Sequence, residues 1–150
     1  MPEIQHLDPP EELEYLKDIY GETQHDRLYE VLTDSFNVLQ NRAQMLLSLI
    51  TITLTITGFS GPGIAASGPV GRWSIIFGLV LVLLSALILI TGPLRLNWGT
   101  NTKSSTIDQS LIRMIQQRNF RTRRYHLASL TLVLGMIGYV ASVVSFLMTG

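Results

Sequence analysis

The chain of 150 residues contains no cysteine, and long stretches of it contain no charge. Without cysteine, disulfide bonds, thiol catalysis and thiolate-bound metals are excluded. No charged residue lies between Arg42 and Arg72 or between Arg72 and Arg95, and no acidic residue follows Asp108. The first residues are acidic and rich in proline, without a basic segment, which argues against a cleaved signal peptide.

Motifs that mark catalytic or nucleotide-binding sites are also missing. The sequence has no G-x-x-x-x-G-K-[ST], no H-E-x-x-H and no G-x-S-x-G. His6, His25 and His126 are too scattered to supply the three or four converging ligands of a metal site. Since no ionisable residue lies within the apolar stretches, a proton or ion pump is disfavoured. We therefore expect a non-enzymatic protein without cofactor or metal.

The uncharged stretches are apolar and long, and they predict an all-α membrane protein with three transmembrane helices. The run of isoleucine and threonine before Gly58 alternates like a strand, but a lone strand cannot satisfy its backbone in lipid. Trp73, Trp98 and Tyr125 are expected to anchor the spans at the membrane interface. The predicted segments are an acidic segment with a short helix (1–22), a long helix that becomes the first span (23–58), an outer connection (59–71), the second span (72–96), a basic connection with an amphipathic helix (97–124) and the third span (125–150).

One face of the predicted long helix is polar along its whole length. Steps of three and four residues place ten positions without a large apolar side chain on this face. We call this set the polar stripe: Arg27, Glu30, Asp34, Asn37, Asn41, Gln44, Ser48, Thr51, Thr55 and Gly58. Its membrane part, Asn41 to Thr55, either lines an aqueous path in an oligomer or bonds backbone carbonyls and packs on other spans.

Small residues recur at the same steps in the second and third spans. These candidate packing seams contain Gly78, Ser85, Thr131, Gly135, Gly138, Ser142 and Ser145. Membrane helices associate through close backbone approach at such residues, and a repeat of about 3.5 residues favours left-handed crossing. The pattern predicts an antiparallel three-helix bundle, with a seam on each span for a neighbour and therefore a homo-oligomer.

Charge is unevenly distributed, with −7 over residues 1–42 and +6 over residues 95–124. The positive-inside rule places the basic connection in the cytoplasm, so the N-terminus is inside and the C-terminus outside the inner membrane of a bacterium. The acidic and basic segments then share one compartment and should attract each other weakly.

The basic connection ends in a cluster of arginines immediately before Tyr125. Such juxtamembrane clusters bind anionic lipid headgroups, and a helix pinned to the next span would lie at the membrane surface. We expect this contact with the bilayer rather than with nucleic acid. The arginines are Arg113, Arg118, Arg121, Arg123 and Arg124.

Two functions from different classes remain. The first is a homo-oligomeric membrane protein that acts as scaffold, anchor or regulator of a cytoplasmic protein bound at residues 11–40. The alternative is a pore-forming or membrane-disrupting subunit whose lumen would be lined by Gln44, Ser48, Thr51 and Thr55. The layout resembles that of small bacterial membrane effectors in architecture alone, without a shared motif.

Overall fold

The computed structural model describes residues 7–21, 24–66, 68–94 and 107–149. These residues form four helices and no strand. The prediction of an all-α chain is confirmed, and three of the helices are long and apolar enough to cross a membrane, which suggests a multi-pass membrane protein. In chain order the helices are α1 (Pro9–Tyr20), α2 (His25–Ala66), α3 (Pro69–Thr91) and α4 (Ile107–Thr149).

The short helix α1 begins at a strong N-terminal signal. The backbone N–H of Asp8 donates to Glu11 Oε2 at 3.3 Å, and Pro9 and Pro10 occupy the first turn, where their missing N–H groups cost nothing. Gly21 ends the helix with a φ of 93°, which a residue with a side chain rarely adopts. A helix of 12 residues is unstable alone, so α1 depends on its contacts with α2 and α4.

α2 is a single helix that continues past Gly58 to Ala66. Of the outer connection expected over residues 59–71, residues 59–66 instead belong to α2 and residues 69–71 to α3. Pro62 removes one backbone hydrogen bond, but unwinding the segment in apolar surroundings would leave several groups unpaired. Ser60 also holds this turn, because its Oγ donates to the Ile56 carbonyl at 2.8 Å and lies 3.0 Å from the Tyr139 hydroxyl.

The isoleucine–threonine run of α2 is helical, as its position within the long helix predicts. Four threonines of this run donate their hydroxyl hydrogens to the carbonyl oxygen four residues earlier, at 2.8–3.0 Å. These hydroxyls are thereby satisfied without leaving the helix. The four are Thr51, Thr53, Thr55 and Thr57.

α4 is also uninterrupted, so the predicted basic helix and the predicted third span are one helix. It contains no glycine or proline before Gly135 that would bend it at Tyr125. The apolar side chains Leu111 and Ile115 of the basic part are fully buried in a core with residues of α1 and α2, and contact of this part with the membrane surface stays a prediction. Residues 95–106, with Trp98, lie outside the described residues.

The hydrophobic core has two parts, one in each half of the molecule. α2 and α4 contribute residues to both parts. In the charged half (α1, residues 25–42 and residues 107–124), the core is Leu13, Leu28, Leu32, Leu111 and Ile115. In the apolar half (residues 43–66, α3 and residues 125–149), the core is Ala43, Ile50, Val82, Leu89, Ala128 and Leu132.

α3 and α4 approach each other most closely where both carry glycine. A Cβ atom on Gly78 would lie 2.9 Å from the Gly135 carbonyl oxygen and 3.1 Å from the Tyr139 nitrogen. A Cβ on Gly135 would lie 3.0 Å from the Gly78 oxygen, and one on Gly138 would lie 3.3 Å from the Gly78 Cα. Each glycine therefore leaves room for the opposite backbone, as close packing of membrane helices requires.

We expect Gly78→Ala to separate α3 from α4 and to lower the free energy of unfolding by about 1–3 kcal/mol, the usual cost of overpacking. The measurement is thermal unfolding of the purified protein in mild detergent. Gly63→Ala is the matched control, since a Cβ there meets nothing within 4 Å. Equal melting temperatures of the two variants would contradict the close contact.

Candidate functional site

The polar stripe lies on the outside of the molecule. All ten of its members are exposed, from Arg27 to Gly58. The inner side of α2 instead carries Leu28, Leu32, Ala43 and Ile50, which form the two cores. The stripe therefore packs neither on α3 nor on α4 of its own chain.

The hydroxyls and the amides of the stripe differ in how they are satisfied. Ser48 donates to the Gln44 carbonyl at 3.1 Å, and Thr51 donates to the Leu47 carbonyl at 3.0 Å. The side-chain amides of Asn41 and Gln44 have no hydrogen bond to any described residue. An amide facing hydrocarbon without a partner is costly, so this part of the stripe is the least suited to lipid.

Two buried threonines were missed by the sequence analysis. Thr53 and Thr57 lie on the inner side of α2, each only 9% exposed, although the alternating run drew attention to Thr51 and Thr55. The signal was present, because Ala43, Ile50 and Thr57 follow one another at seven-residue intervals. In the same apolar half, the Ser60–Tyr139 contact joins α2 to α4 across a pair that no sequence pattern indicated.

The structure brings the predicted seams of the second and third spans together. Ser85 is fully buried and donates from Oγ to the Ala128 carbonyl at 2.7 Å, about two helical turns from the glycine contact. Thr131 and Ser142 are buried and donate to carbonyls of their own helix, and Ser145 is half-buried. The glycines and Ser85 serve the contact between α3 and α4 within one chain, which leaves the polar stripe as the candidate seam between chains.

The five predicted lipid-binding arginines have different surroundings. Arg118 holds Glu12 of α1 at 2.7 Å, and Arg124 donates to the Thr91 carbonyl at 3.3 Å, at the negative end of the α3 dipole. Arg121 lies 5.2 Å from the ring centre of Phe36, and burial lowers the pKa of its guanidinium from the usual value. Arg113 and Arg123 remain exposed and available to a headgroup.

Two ion pairs join α1 to α4. In one the acidic residue belongs to α1, and in the other the basic residue does. Glu12 of α1 meets Arg118 of α4, whereas Lys17 of α1 meets Asp108 of α4 at 2.8 Å. The pairs show α1 running antiparallel to α4, with its first turn nearest the apolar half. Beneath it, Leu13 packs in the charged-half core, so Leu28 and Leu32 of α2 are covered by the chain itself, whereas Val38 is 51% exposed.

An open groove lies between α2 and α4 where the charged half meets the apolar half. It has a volume of about 510 Å³, and its lining comes from α2 and α4 and not from α3. Its walls combine apolar and charged side chains, among them Val31, Asp34, Val38, Leu39, Arg42, Arg118, Tyr125 and His126. We call it the α2–α4 groove.

The predicted interface anchors lie near the ends of the apolar half. Trp73 is 69% exposed in the first turns of α3, and Tyr125 is half-buried beside His126, with ring centres 5.8 Å apart. Both positions suit aromatic rings at a membrane–water boundary.

Among the described residues, no group of three potential ligands could hold a metal ion. His25 lies half-buried at the start of α2, and its Nδ1 atom is buried without a hydrogen-bond partner in the described part of the chain. No protein-family model, curated protein or solved structure matches this chain. Its function therefore has to be inferred from the polar stripe, the arginines and the α2–α4 groove.

We expect Glu12→Arg to loosen α1, because it places two cations face to face and weakens docking by about 1 kcal/mol. Limited proteolysis should then cut the chain faster between α1 and α2. The double variant Glu12→Arg/Arg118→Glu should restore protection, and Glu14→Arg, at an exposed position of the same helix, should leave it unchanged. Equal cleavage of all four proteins would show that the ion pair does not hold α1.

Proposed function

We propose that this chain is a non-enzymatic protein of a bacterial inner membrane that self-associates along the polar stripe of α2. Its charged half would act as scaffold, anchor or regulator of a cytoplasmic protein. The distribution of basic residues supports a cytoplasmic N-terminus and an outer C-terminus. The observation that carries the proposal is the outward position of Asn41 and Gln44, whose amides have no partner among the described residues.

A second copy of the chain supplies what these amides lack. Copies inserted in the same direction can place their α2 helices side by side, so that equivalent residues meet about a symmetry axis. An amide both donates and accepts, so Asn41 and Gln44 can bond their own counterparts. Such interhelical bonds contribute about 0.6–2 kcal/mol each in membrane proteins.

The large apolar side chains on the outside of α3 and α4 suit lipid instead. Phe77, Leu87 and Leu130 are each more than half exposed, and nothing polar accompanies them that would require a protein neighbour. Association through α2 therefore leaves the rest of the apolar half in contact with hydrocarbon.

A soluble partner would meet the outer face of α1. The apolar residues beneath α1 are already covered, whereas Glu11, Glu14 and Asp18 surround the exposed ring of Tyr15. This acidic surface favours a partner with basic side chains, which electrostatic complementarity would steer to it.

We expect Ser48→Cys to form a disulfide-linked dimer in native membranes under mild oxidation. The chain has no other cysteine, so a dimer band on a non-reducing gel reports this position alone. Adding Gln44→Leu should lower the yield, because it removes the amide one turn away. Expression at a low level keeps random collisions from producing the band.

Leu130→Cys is the matched control for this measurement. Leu130 is 60% exposed on α4, near the depth of Ser48, and lies on a face that we assign to lipid. Equal dimer yields at positions 48 and 130, or none at position 48, would contradict association through the polar stripe.

The pore alternative rests on the same stripe and makes a different prediction. If the stripe lined a lumen, Thr51→Val with Thr55→Val would change its polarity and therefore its conductance. We expect no change in ion flux through liposomes that contain the double variant, since both hydroxyls already donate to their own helix. A flux in the wild type that falls in the double variant would favour the pore.

A further inference from the structure

A row of exposed apolar side chains on α2 leads to the α2–α4 groove. The α2 residues that line it, such as Val38 and Arg42, are followed at the same three- and four-residue steps by Met45, Leu49 and Ile52. These three side chains are all exposed, by 73%, 40% and 56%. An acyl chain lying along this face of α2 would lead directly into the groove.

Only some of the charged side chains in the groove already have an ion-pair partner within the chain. Arg118 is held by Glu12. The side chains of Arg42 and Asp34 have no ion pair or hydrogen bond with any described residue, and both are exposed. Ser35 and Thr122, which also line the groove, donate to carbonyls of their own helices. Among the described residues, the groove therefore offers Arg42 as a cation and Asp34 as an anion without a partner, with the exposed His126 imidazole beside them.

These two charges lie at different depths. Arg42 is the last charged residue before the uncharged stretch, and Asp34 lies eight residues earlier on the same helix. Eight residues correspond to about 12 Å along the axis. Because helical side chains incline toward the N-terminus, the long Arg42 side chain reaches toward the level of Asp34 and shortens the gap between the charges.

We propose that the α2–α4 groove binds one zwitterionic aminophospholipid, such as phosphatidylethanolamine. Its phosphate pairs with Arg42 at the membrane boundary, and its primary ammonium, farther from the hydrocarbon, donates hydrogen bonds to Asp34. Its acyl chains follow Met45, Leu49 and Ile52. The order of the charges in the lipid, from membrane to water, is the order of their partners along α2.

The free carboxylate separates this lipid from other phospholipids. An anionic headgroup without an amine would place its hydroxyls or a second negative charge near Asp34, which has no ion pair with any cation that the structure describes. A choline headgroup carries a positive charge but no N–H to donate. The site therefore differs from the exposed Arg113 and Arg123, which any anionic headgroup can approach. The lipid site does not require self-association along the polar stripe, although Asp34 belongs both to the stripe and to the groove lining.

The test is native mass spectrometry of the purified full-length chain in detergent with added short-chain phospholipids. Phosphatidylethanolamine, phosphatidylglycerol and phosphatidylcholine are titrated separately, and the bound fraction is counted for each. We expect the ethanolamine lipid to bind the wild type about tenfold more tightly than the other two, the usual effect of one charge-assisted bond.

Two variants assign the contacts to residues. Asp34→Asn should remove the preference for ethanolamine and leave the phosphatidylcholine affinity unchanged, whereas Arg42→Gln should weaken all three lipids about tenfold. Glu30→Gln and Arg27→Gln are matched controls, because both residues are exposed outside the groove lining and should leave binding as in the wild type.

A second readout follows the groove itself. Val38→Cys, labelled with an environment-sensitive dye, should report displacement by phosphatidylethanolamine, since the chain has no native cysteine. Equal affinity for the three lipids, a preference for phosphatidylglycerol, or wild-type selectivity in Asp34→Asn would overturn the proposal. Crosslinking of position 38 to the N-terminal residues or to a second copy would also overturn the proposal, because the groove would then be closed to lipid.

Discussion

The contact between α3 and α4 at Gly78, Gly135 and Gly138 is the constraint on which the arrangement depends. Here the two backbones touch, with gaps that a single methyl group would fill. Since an apolar surface gains nothing by leaving hydrocarbon for another apolar surface, close packing and hydrogen bonds such as Ser85 to Ala128 have to hold the pair. The small residues of α3 and α4 lie on the faces that meet each other. The outer faces of the two helices carry large apolar side chains.

Unlike the paired helices α3 and α4, α2 has a polar outer side. Its inner side completes both cores, and its outer side carries the polar stripe from the charged half into the apolar half. The stripe and the α2–α4 groove are neighbouring surfaces of one helix. A protein neighbour on the stripe and a lipid in the groove would therefore lie side by side, which offers a route for membrane composition to influence association.

The charged half obeys a different physical rule from the apolar half. In water the hydrophobic effect acts, so Leu13, Leu28, Leu32, Leu111 and Ile115 gather into a core and α1 is needed to cover them. The ion pairs of Glu12 and Lys17 orient α1 rather than supply its main stability. In the proposed membrane arrangement, α2 and α4 each run from water into hydrocarbon, and the change of side-chain chemistry near Arg42 and Tyr125 would mark the boundary.

The sequence by itself determined the helical class, the three long apolar helices and the polar stripe, because these follow from periodicity and from the absence of charge, which are local properties. Tertiary structure decided that the small residues of α3 and α4 meet each other, that Thr53 and Thr57 face inward, and that Arg118 and Arg124 hold α1 and α3. It also kept α2 helical through Pro62 and directed Leu111 and Ile115 of α4 into a core with residues of α1 and α2. These outcomes depend on which helix lies opposite, and residue spacing alone carries no information about the partner.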